Sequence, residues 1–137
     1  MYEKYPIVLA TAAFIVNSQN MILIVKKSPL EQIDPGLWVV PGGKVFPHEP
    51  IIDALKREVR EEVGLTINTY AWIGEDVFVV SNTYFHAQHF KCTVTDNESV
   101  ILEKKLTDYR WIHYAEIDNY QFPINLKNRI CELFQKK

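Results

Sequence analysis

The sequence is short of cysteine, of long apolar runs and of excess positive charge, and each shortage removes a class of protein. Cys92 and Cys131 are the whole cysteine complement, 39 positions apart with no Cys-x-x-Cys pair. Neither a zinc site nor a disulfide framework is expected, and both read as packing residues. The longest apolar stretch, residues 7–16, is ten residues broken by Thr11, far below the roughly 18 needed to cross a bilayer. The first residues, Met-Tyr-Glu-Lys-Tyr-Pro, carry both signs of charge and no cleavage site behind an apolar run. No secretory signal is read there, so a cytoplasmic protein with no membrane partner is expected. Fifteen Lys and Arg against seventeen Asp and Glu leave a formal charge of -2, which offers no broad grip on a nucleic-acid polymer. A single phosphorylated small molecule stays within reach.

What is present fits one packed unit. A length of 137 residues with 47% hydrophobic and 23% charged residues supports a real core, so a single domain spanning 1–137 is expected, without repeats or linkers. Residues 7–16 and 21–27 read as strands joined by the polar turn Asn17-Ser18-Gln19-Asn20, which predicts a hairpin. A turn-rich stretch, 28–36, leads to a short apolar strand, 37–40, halted by Pro41-Gly42-Gly43. Residues 51–63 carry the helical period in Ile51, Leu55, Val59 and Val63, with Pro50 in the first turn and Gly64 as a left-handed cap. Strands follow over 66–73, 76–80, 84–95 and 109–113, with a turn at 96–99. A closing helix after Pro123 is expected to bury Leu126, Ile130, Leu133 and Phe134. The order of strands, helix, strands, helix predicts an α/β domain with helices packed on a mixed sheet.

The chemistry sits on the central helix. Ile51, Ile52, Leu55, Val59 and Val63 fall in one sector of about 120°, while Glu58, Glu61 and Glu62 share an adjoining sector of about 100°. Ala54, one turn earlier, is read as leaving room beside the acids. Like charges at i, i+3 and i, i+4 cost roughly 0.2–0.5 kcal/mol per pair on an open helix. The cluster therefore mildly repels itself unless a cation joins it, and Mg²⁺, with its preference for carboxylate oxygens, water and phosphate, is the natural occupant. The plainer reading is a solvated face in which Asp53, Arg57 and Glu61 form i, i+4 ion pairs.

The surroundings decide between these. Gly43, five residues, Glu49, seven residues, then Arg57-Glu58-Val59-Arg60-Glu61-Glu62-Val63-Gly64-Leu65 satisfies every position of the Nudix box. A chance match is on the order of 10⁻⁸ or less per start point. The chain thus resembles the Nudix hydrolases, and Gly36-Leu37-Trp38-Val39-Val40-Pro41-Gly42-Gly43-Lys44 and Tyr109-Arg110-Trp111-Ile112 are similar to the family's entry and last strands. The resemblance implies a Nudix-type α/β/α sandwich with a catalytic loop-helix-loop and a C-terminal helix. It also implies Mg²⁺-dependent hydrolysis of a nucleoside diphosphate linked to another group, with Mn²⁺ as a substitute. Carried over by position, Glu58, Glu61, Glu62 and the Gly43 carbonyl are implied metal ligands. Glu58 or Glu61 is the implied base, and Glu49 and Arg57 are implied supports. Paired glycines at 42 and 43 would let the backbone approach metal and phosphate closely.

Departures from the pattern shape the rest. Many relatives carry a further acidic ligand six residues before the tryptophan of the last strand, but that position holds Lys105, with Glu98, Glu103 and Asp108 as candidate replacements. The box loop, Phe46-Pro47-His48-Glu49-Pro50, lacks the usual glycine, and His48 is expected to be an exposed loop residue. His86 and His89 are assigned no role. Lys26, Lys27 and Lys44 could each reach a phosphate, Lys44 being the best placed. Asn125 is either a base contact or a helix cap, and Tyr84, Phe85 and Tyr120 are base-stacking candidates for which core packing is favoured. The extended elements of coenzyme A and dinucleotide hydrolases are missing, and Val79 stands where ADP-ribose enzymes carry proline. What is left is similar to the short MutT-like group, implying a nucleoside triphosphate as substrate, and a monomer or homodimer is expected. An ADP-ribose or nucleotide-sugar pyrophosphatase is the alternative, and a non-hydrolytic nucleotide sensor is a third reading.

Overall fold

The computed structural model describes residues 5–135. Its strands are β1 (Ile7–Ile15), β2 (Ile22–Lys27), β3 (Trp38–Val39), β4 (Gly42–Lys44), β5 (Ile67–Val80), β6 (Thr83–Val94) and β7 (Leu106–Ile112). Its helices are α1 (Ile51–Val63) and α2 (Ile124–Phe134), with a 3-10 helix, Tyr114–Asn119, before α2. One sheet runs β4-β1-β6-β5, parallel only between β1 and β6, and the other runs β3-β2-β7, all antiparallel.

The apolar runs of β1 and β2 follow from burial on both faces. Ala13 and Ile15 of β1 and Leu23 and Val25 of β2 pack with Leu55, Val59 and Val63 of α1. Phe14, Ile22 and Ile24 cluster instead with Ile117 of the 3-10 helix and Ile130 of α2. Each fully buried aliphatic side chain contributes roughly 1.5–3 kcal/mol, so the two strands are clamped between the helices. The result is the α/β sandwich that the resemblance implied, with the mixed sheet and packed helices that the order of elements predicted.

The expected hairpin of the first two strands does not form. Asn17 Oδ1 accepts from the backbone N–H groups of Gln19 and Met21, and the chain reverses there. Only Val16 and Ile22 then pair before the strands part into different sheets. Both edges of β1 are taken by β4 and β6, and both edges of β2 by β3 and β7. The glycine loop after Pro41 is itself a strand, β4, paired with β1. A Cβ on Gly42 would strike the Thr11 carbonyl of that neighbour, so this glycine serves strand packing rather than approach to phosphate.

Residues 66–73 and 76–80 do not form separate strands: β5 runs through both, carried across a register shift between Trp72 and Gly74. Gly74 has φ 142° and lies against the Arg129 guanidinium, an irregularity that favours glycine. Ser81 and Asn82 both have positive φ and turn β5 tightly into β6. Helix α1 has the expected bounds, with Pro50 just outside it as N-cap and Gly64 at φ 71° closing it onto the Arg60 carbonyl. Ala54 is fully buried: it is part of the core and leaves no room beside the acids. In α2, Ile130 is fully buried and Leu126, Leu133 and Phe134 are half-buried. Cys92 is buried, Cys131 half-buried, and both are free thiols.

Candidate active site

Helix α1 and the loop before it are tied together by one guanidinium. Arg57 Nε and Nη2 donate to the two carboxylate oxygens of Glu49 at 2.7 and 2.8 Å. Its Nη2 also donates to the Lys44 carbonyl at 3.0 Å, and its Nη1 to Glu58 Oε1 at 2.9 Å and Glu61 Oε2 at 3.2 Å. The guanidinium stacks on the Phe46 ring at 4.0 Å. Such a planar fork fixes several acceptors in set directions, which a lysine ammonium does not. Hydrogen bonding to Arg57 holds the Glu49 carboxyl down to about 2. In this arrangement Glu49 and Arg57 position the acids around them.

The three helix acids differ in depth. Glu62, at the edge of the apolar stripe, is buried and accepts from the Gly42 N–H at 2.7 Å. Burial pushes its carboxyl up to about 8 against the pull of that bond. Glu58, whose side chain is 13% exposed, is also raised by burial, with Arg57 opposing the shift. A Cβ on Gly43 would enter the Glu58 carboxylate, so any side chain at this position would push the acid out of its place. Glu61, 54% exposed, faces outward. Among the described residues no three Asp, Glu, His or Cys side chains form a ready-made metal cage. The donors nonetheless suit Mg²⁺, which takes one or two carboxylates and completes its shell with water and substrate oxygens. Glu62 supplies the specific fit, since a carboxylate starved of solvent is stabilised in its charged form by a nearby cation.

Two cavities meet here. The first, of about 660 Å³, has Gly43, Lys44, Glu58, Glu61 and Glu62 in its wall, with Lys27 and Lys105 also lining it. The second, of about 410 Å³, is mainly apolar and includes Ala10, Ala12 and Ala87. They share Ala10, Lys27, Gly42, Glu62, Phe78 and Leu106, so one adjoins the other. Ala10 and Ala87 are direct partners across β1 and β6, and small side chains there leave the space open.

Asn125 stands in the wall of the apolar cavity. It does not cap α2, whose N-cap is Pro123 without a side-chain bond; its Nδ2 donates to Asp76 Oδ1 at 3.1 Å. His89, also in that wall, is buried and accepts at Nδ1 from Arg129 Nε at 3.1 Å. Burial and the Arg129 charge bring its imidazole down to about 4, so it stays neutral. Sequence reasoning misses Asp76 as a wall residue and gives His89 no role, because each meets its partner only through the packing of α2 on the sheet.

The remaining candidates separate. Glu98 accepts from the Thr66 backbone and pairs with Arg60, Asp108 pairs with Arg110, and Glu103 pairs with Lys105 at 3.3 Å. None of these three acids lines the acidic cavity. His48 stacks beside Phe46, Tyr120 packs on Trp38, and Tyr84 meets Tyr5 edge-on. Phe85 lies flat on Phe78 at 5.2 Å, at the border of the acidic cavity.

Similar proteins point to one family. The nucleoside triphosphatase NudI of Klebsiella pneumoniae (strain 342) is 28% identical over 127 residues, covering 85% of this chain and 88% of that protein. NudI of Escherichia coli (strain K12) is 27% identical over 122 residues, covering 80% and 85%. The crystal structure of the MutT protein from Methanosarcina mazei Go1 superposes with a TM-score of 0.80 at 25% identity, covering 98% of this chain and 100% of that one. With the NUDIX domain model matching residues 6–132, the chain belongs to the NUDIX domain family.

Proposed function

We propose that this Nudix hydrolase cleaves a diphosphate bond of a nucleoside triphosphate, releasing a nucleoside monophosphate and pyrophosphate. The carrying observation is the contiguity of the two cavities across Lys27, Gly42, Glu62 and Phe78. An apolar space beside an acidic one matches a ligand with a flat ring at one end and phosphates at the other. The NudI relatives, named as nucleoside triphosphatases, support the same substrate class.

Glu58, Glu61, Glu62 and the Gly43 carbonyl would hold Mg²⁺, with Mn²⁺ as a substitute. When bound, the cation supplies positive charge to the phosphate oxygens and makes water more acidic. Glu58 is the base this geometry favours. Its Oε1 accepts from Arg57 and keeps a second lone pair that would face the cation, while its Oε2, packed beside Gly43 with no hydrogen bond among the described residues, would accept a proton from the attacking water. Arg57 holds that carboxylate in place, and Glu49 holds Arg57. In the apolar cavity the Asp76–Asn125 bond leaves the second Asp76 oxygen and the Asn125 carbonyl as acceptors for N–H groups of a base.

The test is turnover of a panel of nucleoside triphosphates, nucleotide sugars and ADP-ribose in Mg²⁺, with product analysis, beside Glu58→Gln. Monophosphate plus pyrophosphate from triphosphates, lost in the variant, is the expected result. Turnover of sugar diphosphates alone would move the function to a nucleotide-sugar or ADP-ribose pyrophosphatase. Tight nucleotide binding without turnover would make the domain a sensor.

A further inference from the structure

We propose that Lys27 and Lys105, brought side by side where β2 pairs with β7, form a two-lysine clamp for the phosphates opposite the acidic face of α1. The inference rests on the nucleotide-hydrolase reading and names residues that bind the phosphate chain of that substrate. Both lysines line the acidic cavity, and Lys27 lines the apolar one as well. Lys27 therefore marks the neck between a nucleoside and its phosphates, and Lys105 the acidic end.

Local structure puts them there. Lys27 is the partner of Leu106, and the Ser28 N–H donates to the Lys105 carbonyl at 2.9 Å. The β2–β7 register shifts between Lys26 and Lys27, so that Lys26 faces Asp108 while Lys27 faces Leu106. A bulge of this kind re-aims side chains and is common beside sites. The segment carrying Lys105 is docked on the end of α1 by two backbone bonds, Ile101 N–H to the Val63 carbonyl at 2.9 Å and Glu103 N–H to the Glu62 carbonyl at 3.0 Å. That docking holds the backbone of the segment beside the end of the acidic helix.

The other two cations of the cavity are less suited. Arg57 is already committed to Glu49, Glu58, Glu61 and a carbonyl, and Lys44 stands on the same wall as the acids, adjoining Gly43. Lys27 Nζ has no ion-pair or hydrogen-bond partner among the described residues, and Lys105 has only Glu103. Two ammonium groups, Lys27 unpaired among the described residues and Lys105 paired with Glu103, thus line one cavity together with the helix acids and Glu31. A phosphate chain would meet the ammonium groups directly and the carboxylates through a cation.

The test is isothermal titration of inorganic pyrophosphate into the full chain in Mg²⁺ at low ionic strength. The variants are Lys27→Met and Lys105→Met, which keep the aliphatic stem, with Lys26→Met as a control whose side chain lines neither cavity. Each clamp variant is expected to weaken pyrophosphate about 5- to 10-fold, and the control to bind as the native protein does. Lys105→Arg is expected to restore most of the affinity, which a merely structural role would not require. Unchanged binding in both clamp variants, or an equal loss in Lys26→Met, would overturn the clamp. If the native protein turns over nucleotides while the variants bind pyrophosphate normally, the clamp alone is wrong. If it neither turns over nucleotides nor binds pyrophosphate, both readings are wrong.

Discussion

The two arginines that brace the cavities do opposite work. Arg57 is surrounded by charge: three carboxylates and a carbonyl take its donors on the acidic side. Arg129 is surrounded by neutral acceptors, His89 Nδ1 and the Ile73 and Glu75 carbonyls, with one exposed acid, Glu132. The first sets an electrostatic arrangement, holding acids close together that would otherwise repel. The second sets a shape, pinning the β5 irregularity at Gly74 close to Asp76. The proposed chemistry and the proposed selectivity are thus braced by different arginines, and damage to one is expected to spare the other.

The sharpest break in that division is removal of an acid. Glu61→Gln would take a carboxylate from the proposed Mg²⁺ site and should lower kcat by about 10²-fold or more. Thermal stability should change little, because the side chain is exposed. Steady-state kinetics beside a melting curve checks both. Arg57→Lys should come next. Losing the fork frees Glu58 and leaves Glu49 with only the Phe46 N–H, so Mg²⁺ affinity is expected to fall about 10- to 100-fold, read by metal titration. Discrimination among bases should stay as it was.

Glu62 gives a pH test of the acidic side. In the folded chain it keeps its proton up to about pH 8, whereas an unfolded glutamate releases it near 4.5. The folded state binds more protons between those values, so its stability falls as pH rises from about 5 to about 8. The contribution is on the order of a few kcal/mol in metal-free protein. Glu62→Gln should flatten that part of the melting-temperature profile, and added Mg²⁺ should raise the upper end of it.

Arg129→Met is the smallest expected effect and the one that probes the other side. It should cost about 1–3 kcal/mol of stability by leaving carbonyls and His89 without a donor. Mg²⁺ affinity is expected to stay at its native value. A fall in metal affinity equal to that of Arg57→Lys would erase the distinction between the two braces.

The acidic side is legible in sequence because a helix repeats its chemistry at short range. Glu58, Glu61 and Glu62 share a sector of the helix, and Gly43, Glu49 and Arg57 lie within one loop and helix. The apolar side is legible only at Asn125, since its other wall residues, Ala10, Asp76, Ala87 and His89, come from β1, β5 and β6. Their convergence depends on β1 pairing with β6, whereas the strong apolar runs of β1 and β2 suggest a hairpin. A continuous β5 is hidden by Gly74, which reads as a break but is the place where Arg129 is seated. In sequence Lys27 looks like any solvated lysine, because its setting is made by a strand-register shift that no periodicity reveals.

The most direct measurement is kcat and KM across a set of nucleoside triphosphates in Mg²⁺ for the native chain, Glu58→Gln and Asn125→Ala together. The account predicts that Glu58→Gln loses kcat and keeps the native order of base preference. It predicts that Asn125→Ala keeps kcat within a few-fold, raises KM about 10-fold for the best base and narrows the preference. Release of no monophosphate and pyrophosphate by the native chain, or a change of base preference in Glu58→Gln with none in Asn125→Ala, would contradict it.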